Sequence, residues 1–542
     1  MESRIKIQNR NIYVILLVLA IALINYSIGF YWGETSVFEP DESKLVEPLR
    51  EMVETKTLVH DTWAYPAQAS SKVLALILIF VSEFYHLEPI QYYHINRSFY
   101  AILGTGIVYL TWAIVRKIKS ERFSLALAAL MAICPIWVRY SKEVTGDIPA
   151  LFFSLLVLLM TQYYVKSSMN RYLVLMSLFA ACSTLEKWHG AWTCLFIAIS
   201  VILLNKINLR KIVEAGIVAS SAYFTSIVLL APNIIVDFRR LVSGIEFTYV
   251  YDGMIENPPL LSYPEYFFSH LGIVSVIIIG IGIYNVIFKT DEITDINYQI
   301  VYLFSPICLF AFWFIMVRVT FERWGCGVYW GLLLLTLDGI SFLIQSKRKN
   351  ARIAGMIAVA LILACFLSES ILFNLIATHT YNDGRIVGEH VLSSLGANDS
   401  NTLSDYYTPL APGGIRASGD SLPIEFQDYK NKFAYEKNGK PYIVRPDTKY
   451  VIIGGYFPNG KDINGYAVVK KYGKCVAEVK SKNTRLCIFV EQTTDGKWHM
   501  VEFDNIRANI NNIKLILHNE VIGPEFSVYD VSDFTYSEQY EG

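Results

Sequence analysis

The chain has 542 residues, of which 53% are hydrophobic and only 18% are charged. A soluble protein usually carries about 25% charged residues, and the mean hydropathy here is +0.36. This composition excludes one large soluble enzyme and a disordered chain. The formal net charge of −1 argues against a general nucleic-acid binder, which needs a basic face. We therefore expect many membrane spans.

Apolar stretches long enough to cross a bilayer, about 20 residues each, recur as far as residue 376. The first is expected to be a retained helix and not a cleaved signal, because it is long and more spans follow. The candidate spans are residues 11–32, 94–115, 123–141, 148–165, 171–186, 190–204, 212–231, 267–288, 298–317, 326–345 and 353–376. They predict a mainly α membrane protein with about eleven spans, within a range of roughly 11–13.

The segment 73–90 is apolar but marginal in length, and it is interrupted by Glu83, His86 and Glu88. We expect it to lie along the membrane interface as part of a first external loop with interfacial helices. The basic loops then fall on one side, which the positive-inside rule makes cytoplasmic. These loops are Arg4 to Arg10, Arg116 to Lys119, Lys166 to Arg171, Lys206 to Lys211 and Lys347 to Arg352. The prediction is a multi-pass protein of the cell membrane with a cytoplasmic N-terminus.

Residues 379–542 lack any long apolar stretch and are rich in Asn, Asp, Gly, Lys and Tyr. Short β-like runs occur there, such as Tyr450–Ile453 and Arg485–Val490, separated by turn residues. We predict two domains, a transmembrane catalytic domain at 1–378 and an extracytoplasmic soluble α+β domain at 379–542.

Charged residues collect on the predicted external side. Ionisable groups at the ends of membrane helices are unfavourable unless they are solvated or used. Solvation explains most acids of the loop 33–72 and the lone His189, whereas Asp147 lies between two apolar segments and is a stronger candidate for function. A carboxylate can take a proton from a hydroxyl or amine nucleophile. Nearby Lys and Arg can hold a phosphate that leaves with its charge.

The run Phe38-Glu39-Pro40-Asp41-Glu42 resembles the acidic motif of the GT-C glycosyltransferases. The most similar group is the polyprenyl-phosphate-sugar branch, which includes protein O-mannosyltransferases and aminoarabinose transferases. Five further pieces follow in the family's order: Tyr65-Pro66 to Lys72, Arg139 to Pro149, Leu185-Glu186-Lys187, Phe321-Glu322-Arg323-Trp324 and Asp383-Gly384-Arg385. The resemblance implies a GT-C-like helical bundle.

Such enzymes move a sugar from a polyprenyl (dolichyl or undecaprenyl) phosphate to an extracytoplasmic protein, glycan or lipid, with inversion at the anomeric carbon. The resemblance therefore implies a hexosyl- or pentosyltransferase whose partners are that donor, the acceptor and the lipid bilayer. The implied catalytic residues are Asp41 as general base and its neighbour Glu42. Lys72 and Arg323 would bind the donor phosphate. The implied second acidic motif is Glu143 with Asp147, and the implied sugar or acceptor contacts are Tyr65, Lys187 and Trp188.

The sequence departs from the family pattern in three places, one of which is Trp324 in place of the usual Tyr. Lys72-Val73-Leu74 stands where many members read Lys-Pro-Pro, and Ser71 stands where the aminoarabinose branch has an acid used in metal binding. No cofactor is implied with certainty, and a divalent metal held by Asp41 or Asp147 is left open.

A second reading is a polytopic transporter or flippase of lipid-linked or small solutes, without glycosyl transfer. Transporters tend to show two repeated halves and polar groups at mid-membrane. This sequence shows no halved repeat, and its ionisable groups fall at helix ends. An oligosaccharyltransferase-like reading is disfavoured because the signature Trp-Trp-Asp-Tyr-Gly is absent. The sugar, the acceptor and the lipid length stay open.

Overall fold

The structure is a computed structural model. It describes residues 2–31, 42–59, 69–206, 208–236, 239, 259–288, 294–315, 322–398, 400–403, 434–454, 465–482, 502–523 and 525–537. The chain divides into two compact units, one mainly of residues 1–30 and 44–370 and the other mainly of residues 371–497 and 507–542. The domain boundary at residue 378 stays a prediction.

Most of the described chain is helical. The helices that precede residue 240 are α1 (Glu2–Ser27), α2 (Ser43–Glu54), α3 (Ala69–Ser82), α4 (Pro89–Val115), α5 (Glu121–Ile133), α6 (Pro135–Tyr140), α7 (Asp147–Ser167), α8 (Asn170–Glu186), α9 (Trp192–Leu204), α10 (Leu209–Leu230) and α11 (Asn233–Val236). Those that follow are α12 (Pro259–Phe288), α13 (Ile296–Ile315), α14 (Cys326–Ile344), α15 (Lys349–Thr378), α16 (Gly384–Ser394), α17 (Tyr466–Tyr472) and α18 (Glu502–Leu517). Short 3₁₀ turns lie at Trp188–Ala191, Glu322–Gly325 and Thr380–Asn382.

Five helical segments of the described chain are long and apolar enough to cross a membrane. They are Pro89–Val115, Asp147–Ser167, Leu209–Leu230, Arg323–Ile344 and Lys349–Thr378. Shorter apolar helices accompany them, among them α3 with 14 residues. At about 1.5 Å per residue, α3 is shorter than a hydrocarbon core of about 30 Å. The protein is a membrane protein with several apolar helices, and the count of eleven spans stays a prediction.

Helices α7 and α8 form an antiparallel pair, and this pair places the functional residues. Ser168, with φ of 51°, ends α7 in the left-handed region, and α8 begins at Asn170. Because the two helices run in opposite directions, the end of α8 at Glu186 lies beside the start of α7 at Asp147. The turn at 187–191 follows directly.

Helix α5 ends where Pro135 interrupts it, since proline has no N–H to donate to the carbonyl of Met131. The carbonyls left at this end accept hydrogen bonds from side chains of other helices. Tyr26 Oη donates to the Met131 oxygen at 2.7 Å, and Asn25 Nδ2 donates to the Ala132 oxygen at 3.0 Å. The C-terminal end of α1 is therefore bonded to the C-terminal end of α5.

The second unit contains the strands, which confirms a strand-containing C-terminal region. Its strands are β1 (Thr402–Leu403), β2 (Ala434–Lys437), β3 (Lys440–Ile443), β4 (Tyr450–Gly454), β5 (Lys474–Val479), β6 (Phe526–Asp530) and β7 (Thr535–Tyr536). One sheet has the order β1-β4-β6-β5, with β1 parallel to β4 and the other pairs antiparallel. The other has the order β2-β3-β7. The apolar core of this unit contains Val451, Ile453 and Val469.

Candidate functional site

Asp147 is held at the first residue of α7 by a glycine. Gly146 has φ of +75°, a backbone conformation that favours glycine. A Cβ at this position would also lie 3.2 Å from the carbonyl oxygen of Glu186. The tight turn before α7 thus packs directly against the end of α8. It places the carboxylate of Asp147, only 2% exposed, at the helix N-terminus.

The carboxylate of Asp147 is surrounded by basic side chains from two other segments. Lys187 Nζ donates to Oδ1 at 2.9 Å and to Oδ2 at 2.8 Å. Arg323 Nε lies 3.6 Å from Oδ2, an ion-pair distance that is longer than a hydrogen bond. All three side chains are buried. We call Asp147, Lys187 and Arg323 the Asp147 cluster.

Lys187 reaches Asp147 because α8 stops at Glu186. Lys187 itself is extended, with φ of −159°, and the chain then turns through the 3₁₀ segment that begins at Trp188. Gly190 makes that turn possible, since a Cβ there would lie 2.2 Å from the carbonyl oxygen of Ser183. The segment therefore depends on one glycine at a close approach of two backbones.

His189 joins the Asp147 cluster and was not predicted to do so. Its Nε2 atom lies 3.6 Å from Asp147 Oδ1, and its side chain is 6% exposed. The ring packs edge-on against Phe312 and lies 5.5 Å from the ring of Trp324. The expectation of a solvated loop histidine is wrong. Its position two residues after Lys187 in a tight turn was the available signal.

The electrostatics of the cluster favour an anion. Burial, and then the charges of Lys187 and Arg323, hold the pKa of His189 well below its usual range, so the imidazole is neutral at physiological pH. The carboxylate of Asp147 and the cations of Lys187 and Arg323 together leave one net positive charge in this buried cluster. Lys187 Nζ also lies 5.5 Å from the centre of the Trp324 ring, within cation–π distance.

A divalent metal does not fit Asp147 as the structure places it. Both carboxylate oxygens already accept from Lys187, and a second cation, Arg323, lies within ion-pair distance. Across the described ranges, no group of three His, Cys, Asp or Glu side chains could hold a metal ion. Asp41, the other residue considered for a metal, lies outside those ranges.

Glu186 connects the cluster to the start of α3. Its carboxylate oxygens accept from the backbone N–H of Ser70 at 2.5 Å and from Ser70 Oγ at 2.7 Å. This is the arrangement that satisfies the unpaired N–H groups at a helix N-terminus. Lys72 follows in the same turn of α3, and its Nζ donates to the carbonyl of Leu230 at the end of α10. Burial lowers the pKa of Lys72 to about 8.

Two further predicted residues have other surroundings. Glu143 is buried and pairs with Arg139, Oε1 to Nε at 3.1 Å. Glu42 is also buried, at the turn before α2. Asp41 and Tyr65 lie outside the described residues. The structure thus brings Asp147, Lys187 and Arg323 together, and the described contacts of Lys72 and Glu143 are with other groups.

Two buried polar atoms beside the Asp147 cluster have no hydrogen-bond partner among the described residues. They are Thr145 Oγ1, two positions before Asp147, and Nε1 of Trp188, next to Lys187. Buried polar atoms are normally satisfied, so such atoms mark places where a ligand or water completes the bonding. Trp188 was predicted as a sugar or acceptor contact, whereas Thr145 was not singled out.

Residues 96–236 match the family described as dolichyl-phosphate-mannose-protein mannosyltransferase. This stretch contains Glu143, Asp147, Lys187 and Trp188. It therefore includes the start of α7 and the end of α8, which together provide two of the three residues of the Asp147 cluster. The predicted resemblance to GT-C glycosyltransferases is confirmed. It falls on the polyprenyl-phosphate-sugar branch of the GT-C enzymes, as the motifs indicated.

Solved structures of GT-C enzymes are similar to this chain at low identity. The oligosaccharyltransferase AglB from Archaeoglobus fulgidus, in complex with an inhibitory peptide and a dolichol-phosphate, has 11% identity and a TM-score of 0.48. That alignment covers 83% of this chain and 70% of AglB. ArnT from Cupriavidus metallidurans, bound to undecaprenyl phosphate, has 12% identity and a TM-score of 0.46, over 85% of this chain and 96% of ArnT. A comparison with curated proteins finds no match.

Proposed function

We propose that this protein is a membrane glycosyltransferase that moves a sugar from a polyprenyl-phosphate donor to an extracytoplasmic acceptor. The observation that carries the proposal is the family match at 96–236, which contains the buried Asp147–Lys187 pair. The sugar is a hexose or a pentose, and the acceptor is a protein, a glycan or a lipid.

The reaction needs a base on the acceptor side and cations on the phosphate side. The acceptor oxygen forms a bond to the anomeric carbon while the bond from that carbon to the phosphate oxygen breaks. The lipid phosphate leaves with the electron pair, and Asp41 takes the acceptor proton. A single displacement of this kind inverts the anomeric carbon and needs no second, nucleophilic carboxylate.

The net positive charge of the Asp147 cluster supports the phosphate side of this proposal. Arg323 binds the departing phosphate, because a guanidinium offers several donors to phosphate oxygens. Lys187 and Asp147 hold each other in one geometry, which keeps the cations in place before the donor arrives. The unpaired atoms of Thr145 and Trp188 suit the hydroxyl groups of a sugar.

Lys72 is the second cation that binds the donor phosphate in this proposal. Its described contact, the carbonyl of Leu230, is a neutral acceptor. A buried ammonium with a lowered pKa gains more from a phosphate than from a carbonyl oxygen, so donor binding would draw it away from Leu230. The exchange ties donor binding to the position of α3 relative to α10.

The test is transfer by the purified full chain in lipid nanodiscs with a panel of polyprenyl-phosphate sugars. Acceptors are hydroxyl-bearing peptides, glycans and lipids, and the readout is released lipid phosphate. We expect release with one donor and a large loss in Arg323→Met. Exposed Arg210, which pairs with Glu214, provides the control Arg210→Met, which should keep full activity.

The transporter reading makes the opposite prediction. If no donor releases lipid phosphate while proteoliposomes carrying the same protein move a solute, the glycosyltransferase proposal is wrong. Release of lipid phosphate without solute flux excludes the transporter.

A further inference from the structure

Four basic side chains lie at the end of α7 that is opposite to Asp147. They are Arg116 and Lys117 after α4, Lys166 at the end of α7 and Arg171 at the start of α8, and we call them the basic end cluster. All four are exposed. Helix α7 has 21 residues, about 30 Å at 1.5 Å per residue, which equals a bilayer core. The basic end cluster therefore lies one membrane thickness from Asp147 along α7.

Aromatic rings hold three of these cations. Lys117 Nζ lies 3.6 Å from the centre of the Tyr163 ring, and the guanidinium carbon of Arg171 lies 4.8 Å from that of Tyr172. The two tyrosine rings stack on each other at 5.4 Å with an interplanar angle of 19°. Lys117 and Arg171 therefore belong to one cation–aromatic arrangement across α7 and α8.

The third ring lies on α4. The guanidinium carbon of Arg116 lies 4.2 Å from the centre of the Trp112 ring. Trp112 is itself fixed, because its Nε1 donates to Glu121 Oε1 at 2.8 Å. Tryptophan and tyrosine are enriched where membrane helices meet the lipid headgroups. The aromatic partners of these cations are thus of the kind that is enriched at headgroup level.

The cations of this cluster have no carboxylate partner in the part of the chain that the structure describes. The Glu121 carboxylate accepts the hydrogen bond from Trp112. The next basic residue, Lys119, is paired with Asp338 at 3.0 Å. Although Lys117 is exposed as a whole residue, partial burial of its ammonium, and then the charges of Arg116 and Lys166, lower its pKa to about 8. The positive charges of Arg116, Lys117 and Lys166 repel one another, and a bound anion would relieve that repulsion.

We propose that the basic end cluster binds the phosphate of an anionic phospholipid from the bilayer leaflet at that end of α7. A membrane lipid fits better than a soluble anion because the cations lie on interfacial aromatic rings at the ends of apolar helices. Basic pockets between transmembrane helices are a known form of headgroup site. The site is separate from the Asp147 cluster, and the inference does not depend on the proposed function.

The experiment uses the full chain purified in neutral detergent. Binding of phosphatidylglycerol is measured by native mass spectrometry and by the shift in the unfolding temperature. Phosphatidylcholine and soluble glycerol phosphate are the comparison ligands. We expect phosphatidylglycerol to bind and to raise the unfolding temperature, and the other two to have little effect.

The variant carries Lys117→Met, Lys166→Met and Arg171→Met together. Each basic residue near an anionic lipid surface contributes about 1 kcal/mol, so affinity should fall by about 100-fold. The control removes three exposed cations, Lys347, Arg348 and Lys349, at the start of α15, and should retain binding. An equal loss of phosphatidylglycerol affinity in both variants would indicate a general charge effect and would overturn the proposed site. Equal binding of glycerol phosphate would overturn the lipid as its ligand.

Discussion

Lys187 donates to both carboxylate oxygens of Asp147, at 2.9 and 2.8 Å, and both side chains are buried. The two residues are 40 positions apart in the chain and meet because α7 and α8 are antiparallel. A buried ion pair stabilises weakly as a whole, yet loss of one member leaves a charge without compensation. The pair therefore behaves as a unit.

Lys187→Met should lower the free energy of unfolding by about 3–5 kcal/mol, the usual effect of breaking a buried pair. The variant should also lose transfer activity. Adding Asp147→Asn to Lys187→Met removes the carboxylate that has lost its nearest cation, so the double variant should be less destabilised than the sum of the single ones. Denaturation in mixed micelles measures all three. Additive losses would show that the contact is not coupled.

Asp41→Asn should remove most transfer activity and leave folding intact, because the amide cannot accept the acceptor's proton. A general base contributes about 10²–10⁴-fold, and the loss of rate should fall in that range at unchanged unfolding temperature. Glu51→Gln changes an exposed acid of α2 in the same way and is the matched control. A rate near that of the wild type in purified Asp41→Asn would remove Asp41 as base.

Part of the cluster could be predicted from the sequence, and part could not. Its position between two apolar segments distinguishes Asp147 in the sequence, and the family motifs imply roles for Lys187 and Arg323. The contact between Lys187 and Asp147 was not predictable, since it depends on Gly146 and Gly190 allowing close backbone approaches. The burial of His189 is difficult to predict from the sequence, because Phe312 and Trp324, which pack against its ring, come from distant segments.

The fold shows the same division. Apolar length indicated a membrane protein with several apolar helices, and polar composition indicated the strand-containing region, whereas the number of spans stays a prediction. Lys119 illustrates what charge counting misses. The sequence places it in a basic loop on the predicted cytoplasmic side, yet its Nζ pairs with the buried Asp338 of α14 at 3.0 Å and donates to Tyr298 Oη at 3.3 Å. Tertiary contacts between α13, α14 and the end of α4 decide that placement.

Lys119→Met should therefore destabilise the protein by about 3–5 kcal/mol, since it strands the carboxylate of Asp338. The control is Lys56→Met, which breaks the exposed pair of Lys56 with Glu83 and should change stability by about 0–1 kcal/mol. Unfolding temperatures in one detergent compare the two. Equal shifts would contradict the buried pairing of Lys119.

Gly146→Ala should destabilise the protein by about 1–2 kcal/mol, because an L residue is strained at a φ of +75°. The added Cβ would also press on the carbonyl of Glu186 at 3.2 Å. Gly216 in α10 has open space around it, so Gly216→Ala should stabilise the helix by up to about 1 kcal/mol. Opposite signs in the two unfolding measurements are expected. A stabilised Gly146→Ala variant would exclude the left-handed turn.

Stability should rise with pH through Lys142. This residue is buried in the turn before α7, and its Nζ donates to the carbonyl oxygens of Asn25 and Ile28 at 2.5 and 2.8 Å. Both acceptors are neutral, and the neighbouring charges, Arg139 and Glu143, pair with each other. Burial lowers the pKa of Lys142 from 10.5 to about 7.

Between pH 7 and 10.5 the unfolded chain then binds more protons at Lys142 than the folded protein does, so the free energy of unfolding increases with pH across that window. Below pH 7 both states are protonated and this dependence vanishes. From pH 7 to pH 9 the gain should be about 2 kcal/mol. Lys142→Met should lack that part of the slope, whereas Lys56→Met, at an exposed pair, should retain it. Denaturation in mixed micelles at four pH values decides the matter, and an unchanged slope in Lys142→Met would refute the lowered pKa.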